Sequence, residues 1–521
     1  MSQDDSQFFR LPRELRDEVY SLYLREDGEY VHDAQRNSLH TASGQKIELA
    51  LAYSCRRVAG EMSGLPFQMN QISFRTMLDV PEAIDAATSA SLSIYTLSRQ
   101  KDVFQHMLSW ARTLVTPDIL AKLHDQYPDD LAIHKLIAAE KECEFHLVDG
   151  ILSTTCSLEY STNRTLLQDM VKAIATHPEF DRLIAKEYYL HLWDSVVPDY
   201  LLSYWEGDQI DLRVTVEEYI CNLSPPAYTA HSARNILNWQ PPLWSIPENS
   251  ELEAIKLLFL EWPLTAFDKP YEWDIRRKRY FSATAVAVRF LERHAPRQLH
   301  HLSKIVIKED HPRVAGPKSH GQGLITYCQE NPQLRVEQWV NVWKTDFIPG
   351  SRWFESMWFR VFFRALETWL AEAKLIRDKG MPMGSFTSIL HGPSPRASQQ
   401  LASGIRIGAM MYESSLTSAQ REDHHNQFVG KDSFRNFPTL VKELITNQLP
   451  ARVDGEMGEL WDLEKMLEER QDPWPGDWDE IFTMDDFEDP PDGWEAARDE
   501  YVEHLDWIDR MDGWDMLTAL A

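Results

Sequence analysis

The chain has 521 residues, 43% hydrophobic and 11% aromatic with 18 Trp. That is enough apolar material for about two to four packed domains, and it excludes an intrinsically disordered chain. Net charge is −28. From Asp454 onward 24 Asp and Glu stand against 4 Lys and Arg, which leaves −8 for the 453 residues before it. An acidic chain of this kind lacks the basic footprint of a general nucleic-acid binder. The polar first seven residues do not resemble a secretory leader, and no apolar run approaches the roughly 18 residues of a membrane span. The expected setting is intracellular, cytoplasmic or nuclear, with no membrane partner. Five widely spread cysteines (Cys55, Cys143, Cys156, Cys221, Cys328) suit reduced thiols.

The first element is FFRLPRELRDEVYSLYL, Phe8 to Leu24. Pro12 suits a helix start and Glu14 suits its first turn. Leu11, Leu15, Val19, Leu22 and Tyr23 recur at helical spacing and form one apolar face. Phe8 and Phe9 are expected to pack back on that stripe, and Arg13 and Asp17 to pair on the outer side. The helix is expected to end near Asp27-Gly28, with glycine as a left-handed cap. A polar insertion, Arg25 to Lys46, reads as turns or a small hairpin. LALAYSCRRVAGEM (Leu49 to Met62) reads as helix, and NQISFRTM (Asn70 to Met77) as a short strand.

The order Leu11-Pro12, Glu14-Leu15-Arg16, then Val19 and Leu22 resembles the opening of an F-box. More narrowly it resembles the EXR-motif F-box-like group of filamentous fungi. In that group a Leu-rich run leads into a Cys-Arg helix ending in an acid and then a short Asn-to-Phe strand, as at 49–62 and 70–77 here. The match covers roughly residues 8 to 78. It departs from a typical F-box, one compact run of helices, through the 25–46 insertion. The resemblance implies an adaptor. Leu11, Pro12, Leu15, Val19 and Leu22 would bind the small linker protein of an SCF ubiquitin ligase, and the rest of the chain would hold a protein substrate that the sequence does not name.

Residues 81–224 read as helices at 102–113, 129–148, 165–176 and 181–197, punctuated by prolines. No helical repeat recurs. Residues 225–250 hold five prolines and read as a linker or extended segment. In 251–453, helices are expected at 252–262, 279–294 and 321–330. Strands are expected at 304–307 and 334–343, paired in parallel as β-α-β. The 304–343 region also resembles a segment of the same fungal group. Alone it would be one unit of a leucine-rich-repeat-like solenoid, too little for an array. The longest helix is expected at 352–379, stopped by Gly380; a loop is expected at 380–398 and a helix at 440–449. In the 454–521 tail, Trp494, Ala497, Tyr501, Leu505 and Ile508 form a helical stripe inside an acidic field. It reads as docking on the chain itself, on a basic partner, or as an acidic activation-type segment.

Catalytic signatures are sparse. There is no P-loop, no Gly-x-Gly-x-x-Gly, no zinc spacing and no Gly-x-Ser-x-Gly. Gly321 and Gly323 before a helix could seat an anion but read as an ordinary turn. His320 with Cys328 could form a nucleophile pair and Glu187 with His191 could share a metal, but both read as structural; side chains of the adjacent pairs His300-His301 and His424-His425 diverge in regular structure. Glu309-Asp310 reads as a solvated turn, and Arg276–Arg279 as a solvated helix turn, with nuclear import as the alternative. The sequence thus predicts an α+β, predominantly helical protein: an F-box-like module (1–80), a helical region (81–224), a Pro-rich linker (225–250), a mixed α/β body (251–453) and an acidic Trp-rich tail (454–521). It predicts no catalytic residue, cofactor or metal, and an adaptor function. A scaffold with a purely structural F-box-like module is the alternative, and an enzyme of unrecognised type a lesser one.

Overall fold

In the computed structural model the described residues are 7–77, 103–128, 133–134, 137, 161–186, 227–239, 241–248, 250–251, 280–311, 317–345, 354–421 and 436–465. Seven strands form one sheet. They are β1 (Tyr30–Asp33), β2 (Ser38–Thr41), β3 (Ile72–Arg75), β4 (Lys304–Glu309), β5 (Arg335–Asn341), β6 (Phe386–His391) and β7 (Ala451–Val453). Their order is β2-β1-β3-β4-β5-β6-β7. The β1–β2 hairpin is antiparallel, and each later pairing is parallel.

From β3 onward the strands follow one another in chain order. Right-handed crossovers then put successive connections on the same face of the sheet. The core agrees with this. Tyr30, Ile72, Ile305, Val336 and Phe386 lie in one register row, and Phe74 and Ile307 lie in the next. All of them join one buried cluster with α7 (Ala283–Glu292) and the 3-10 segment Pro317–Leu324. Val340, Leu390, Ala451 and Val453 lie on that same face. They pack under α9 (Phe354–Asp378), α10 (Pro395–Arg421) and α11 (Phe437–Ile445). The intervening residues Val31, Ser73, Val306, Glu337, Trp339, Thr387, Ile389 and Arg452 point the other way, and none of them enters a core cluster.

The remaining helices divide in two. α1 (Arg13–Leu24), α2 (Arg56–Glu61) and α3 (Leu65–Met69) flank the β1–β3 edge around Tyr20, Leu24, Val58 and Met62. The helical residues 103–110, α4 (Pro117–Gln126), α5 (Ser161–Ala175) and α6 (Ala227–Asn238) form a separate cluster around Phe104, Met107, Leu167 and Ile236. α8 (Ile325–Glu330) completes the β4–β5 crossover.

The mixed α/β content, the hairpin inside 25–46, the β3 strand, the parallel β4–β5 pair and the stop at Gly380 (φ 92°) follow the sequence. Several features do not. α1 ends at Leu24 with an extended Arg25 and without a glycine cap, because the chain must turn at once to place Tyr30 in the sheet. Phe8 and Phe9 pack on Tyr20, Arg16 and Arg57, away from the leucine stripe. The 225–250 segment contains α6, whose Ala233, Ile236 and Leu237 are core. Residues 380–398 hold β6 and the start of α10 in place of the expected loop, and β7, which the sequence pattern does not predict, follows α11. These strands are short and bracketed by Pro and Gly, so period and turn residues favoured a loop. The 252–262 helix, most of the 129–148 and 181–197 helices and the 494–508 stripe lie outside the described residues.

Candidate functional site

Four of the five residues read from the sequence as the apolar face of α1 face solvent, while Tyr23 is half-buried against the Tyr20–Leu24 cluster and donates to Glu48. Leu11 is 37% exposed, Leu15 47%, Val19 39% and Leu22 69%, and Pro12 between them is exposed as well. The residues that hold α1 down are Arg16, Tyr20 and Leu24, spaced at four. The sequence singles out the leucine row as the face for a partner and passes over the Arg16–Tyr20–Leu24 row, because an arginine in a row normally marks the wet side.

Arg16 is buried because it is fully paired. Its Nε and Nη2 donate to both carboxylate oxygens of Glu61, at 2.9 and 2.8 Å, and its Nη1 donates to the Leu11 carbonyl at 2.6 Å. Tyr20 Oη and Arg57 Nε also donate to Glu61, at 2.8 and 3.1 Å. A bidentate guanidinium–carboxylate pair with the remaining lone pairs satisfied is what makes such burial tolerable. The Arg16 guanidinium, with help from the Tyr20 and Arg57 donors, holds the Glu61 carboxyl down at about 2. Burial and the Glu61 contact push the Tyr20 phenol up to about 12. So the Arg of Glu14-Leu15-Arg16 and the acid ending the Cys-Arg helix are one clamp between α1 and α2. Glu14 itself faces solvent. Asn70 forms a second clamp: its amide donates to the Leu24 carbonyl (2.8 Å) and Tyr30 Oη (2.9 Å), and its Oδ1 accepts from Glu26 N. Both clamps sit on the inner side and leave the Leu11–Leu22 face presented outward. The sequence pointed to Arg16, Glu61 and Asn70 only as marks of resemblance; their bonding was not legible.

Among the described residues, several of the chemical candidates are packed into the fold. Glu309 is fully buried rather than on a solvated turn. Its carboxylate accepts from Ala283 N, Thr284 N and Thr284 Oγ1 at 3.1, 3.1 and 2.8 Å, capping the N-terminus of α7. Ser282 Oγ accepts from Ala285 N as the helix cap and bonds His320 Nδ1 at 2.6 Å. Cys328 is fully buried among apolar side chains, and burial pushes its thiol up to about 12. That is the opposite of an activated nucleophile. Gly321 and Gly323 do not cradle an anion: a Cβ there would come within 2.6 Å of Ile376 and of Trp244 respectively, so they are glycine for close packing. His301 fits against Gly64 and bonds Gln68. Arg276–Arg279, Glu187 with His191, and His424-His425 lie outside the described residues. Among the described residues no group of three or more His, Cys, Asp or Glu could hold a metal ion, and no helix is long and apolar enough to cross a membrane.

Comparison with protein-family models, with curated proteins and with solved structures finds no match to this chain.

Proposed function

We propose that the chain is a non-catalytic F-box-like adaptor whose outer α1 face engages the linker protein of an SCF-type ubiquitin ligase. One observation carries the reading. Leu11, Pro12, Leu15, Val19 and Leu22 form a solvent-facing apolar row on a helix whose other side is locked by Arg16 and Tyr20 on Glu61. A contiguous exposed apolar row on a rigid helix is suited to lying in a partner's groove. The resemblance of Leu11–Leu24 to an F-box opening names the partner. The mostly parallel sheet would then serve as the platform for a protein substrate.

A second reading is a scaffold in which the F-box-like module is only structural. It is favoured by the continuity of β1 and β3 with β4 in one sheet, which makes this module part of the body's edge. Purified linker protein separates the two. Binding to the full chain that is lost in Leu15→Asp supports the adaptor. Absence of binding by the full chain supports the scaffold.

A further inference from the structure

We propose that the chain's own C-terminal segment, residues 466–521, binds as an intramolecular acidic ligand across the sheet face that, among the described residues, joins no core cluster. This goes beyond linker binding and does not depend on it.

That face has a distinct composition. Its strand residues include five cations, Arg75, Lys304, Lys308, Arg335 and Arg452, against two acids, Asp33 and Glu337. The chain around it has the opposite sign: residues 1–465 carry −12 in all. The register shows how the cations are arranged. Trp339, Ile389 and Arg452 lie in one row, and the Arg452 guanidinium sits 5.6 Å from the Trp339 ring centre. Arg452 therefore spans Ile389, which is fully buried. His391 meets the same indole edge-on. At the other end Lys308 pairs with Glu29, across the row of the fully buried Ser73. Lys304 is likewise paired with Glu337, so the face presents the Arg75 and Arg452 guanidiniums and the Trp339 indole. Among the described residues neither Arg75 nor Arg452 is in an ion pair. Such a face suits an acidic segment carrying aromatic rings.

Residues 466–521 have that composition: nineteen Asp and Glu against three Arg, with Trp474, Trp478, Trp494, Trp507 and Trp514. An outside acidic peptide would meet a net negative protein, whereas a tethered one is held at high effective concentration. The tether also reaches. After β7 the chain runs along α10, where Gln399 and Arg406 bond the backbone at Glu456 and Glu459, and Trp461 donates to Glu413. From there 56 residues, about 190 Å when fully extended, are long enough to pass around the β7 edge and cross the about 29 Å of seven strands.

The test uses the full chain with a benzophenone amino acid replacing the half-buried Thr387, at the centre of that face. After irradiation, the adducts are mapped by mass spectrometry. The expected result is intramolecular adducts within 466–521 that fall roughly tenfold in Arg75→Glu/Arg452→Glu and in 0.5 M salt. A reciprocal probe at Trp494, with wild-type strands, should label residues of β3 to β7, which guards against a misfolded probe variant. Adducts that join two copies would assign the face to a second chain. Adducts confined to neighbouring strands would mean that the segment does not dock there, and adducts in 466–521 unchanged by charge reversal and salt would mean that its contact is not that of an acidic ligand. Each of these outcomes overturns the proposal.

Discussion

Leu15→Asp is the sharpest test of the N-terminal face, because the structure separates its effect on folding from its effect on binding. Leu15 keeps 47% of its surface in water. The buried remainder contributes about 1 kcal/mol to folding. Aspartate is a poorer helix former than leucine by about 0.5 kcal/mol, but Leu15 is the third residue of α1, in the first turn, where the helix dipole favours an acid. The net cost is about 1 kcal/mol, small against the roughly 5–15 kcal/mol of a folded domain. Binding is a different matter. If the face docks in an apolar groove, the mutant loses about 1 kcal/mol of burial and must also strip water from a carboxylate, at several kcal/mol. That predicts a loss of at least about 100-fold in affinity. The assay is a titration of purified linker protein onto the full chain, with circular dichroism and a thermal melt alongside. Tyr20→Ala is the contrast. Tyr20 is fully buried and donates to Glu61, so its removal should cost about 3–5 kcal/mol. Two results would refute the reasoning. If Leu15→Asp destabilises as much as Tyr20→Ala, the stripe is core after all. If the wild type binds and Leu15→Asp binds equally well, docking uses another surface.

Three further outcomes follow from buried groups. Glu61 is held at about 2, chiefly by Arg16, so its carboxylate stabilises the fold above the usual carboxylate range near 4.5. That contribution disappears as pH falls from there toward 2. The melting temperature should drop across this window, and Glu61→Gln should melt lower at neutral pH with a flatter acid limb. Glu309→Ala strips three donors at the α7 N-terminus of their acceptor and should cost about 2–4 kcal/mol in urea unfolding, with Glu309→Gln milder. Cys328, its thiol pushed up to about 12 by burial, should resist iodoacetamide at pH 8 in the native chain and react after urea, while the half-buried Cys55 labels first. Native labelling of Cys328 at the rate of Cys55 would mean that the β4–β5 core is open.

What the sequence determined by itself is local. Ala283, Ala285 and Ala287 behind Ser282 specify α7, the β-branched run Lys304–Ile307 specifies β4, and Gly380 specifies the end of α9, because each depends on propensity and caps within a few residues. The first landmarks, Leu11–Leu24 and Asn70–Met77, were legible as elements for the same reason. Tertiary structure decided which side of each element faces the core. Arg16 goes inside because Glu61, 45 residues away, meets it with both oxygens, and no helical period encodes that partner. Glu309 goes inside because the end of α7 arrives with two free N–H groups. β6 and β7 exist because an ordered strand already stands beside each, supplying the hydrogen bonds that a short Gly- and Pro-bracketed segment cannot supply for itself. The cationic face of the sheet is likewise a product of strand order. Arg75, Trp339 and Arg452 are far apart in the chain and become one surface only when β3 to β7 line up in sequence with their crossovers on the other side.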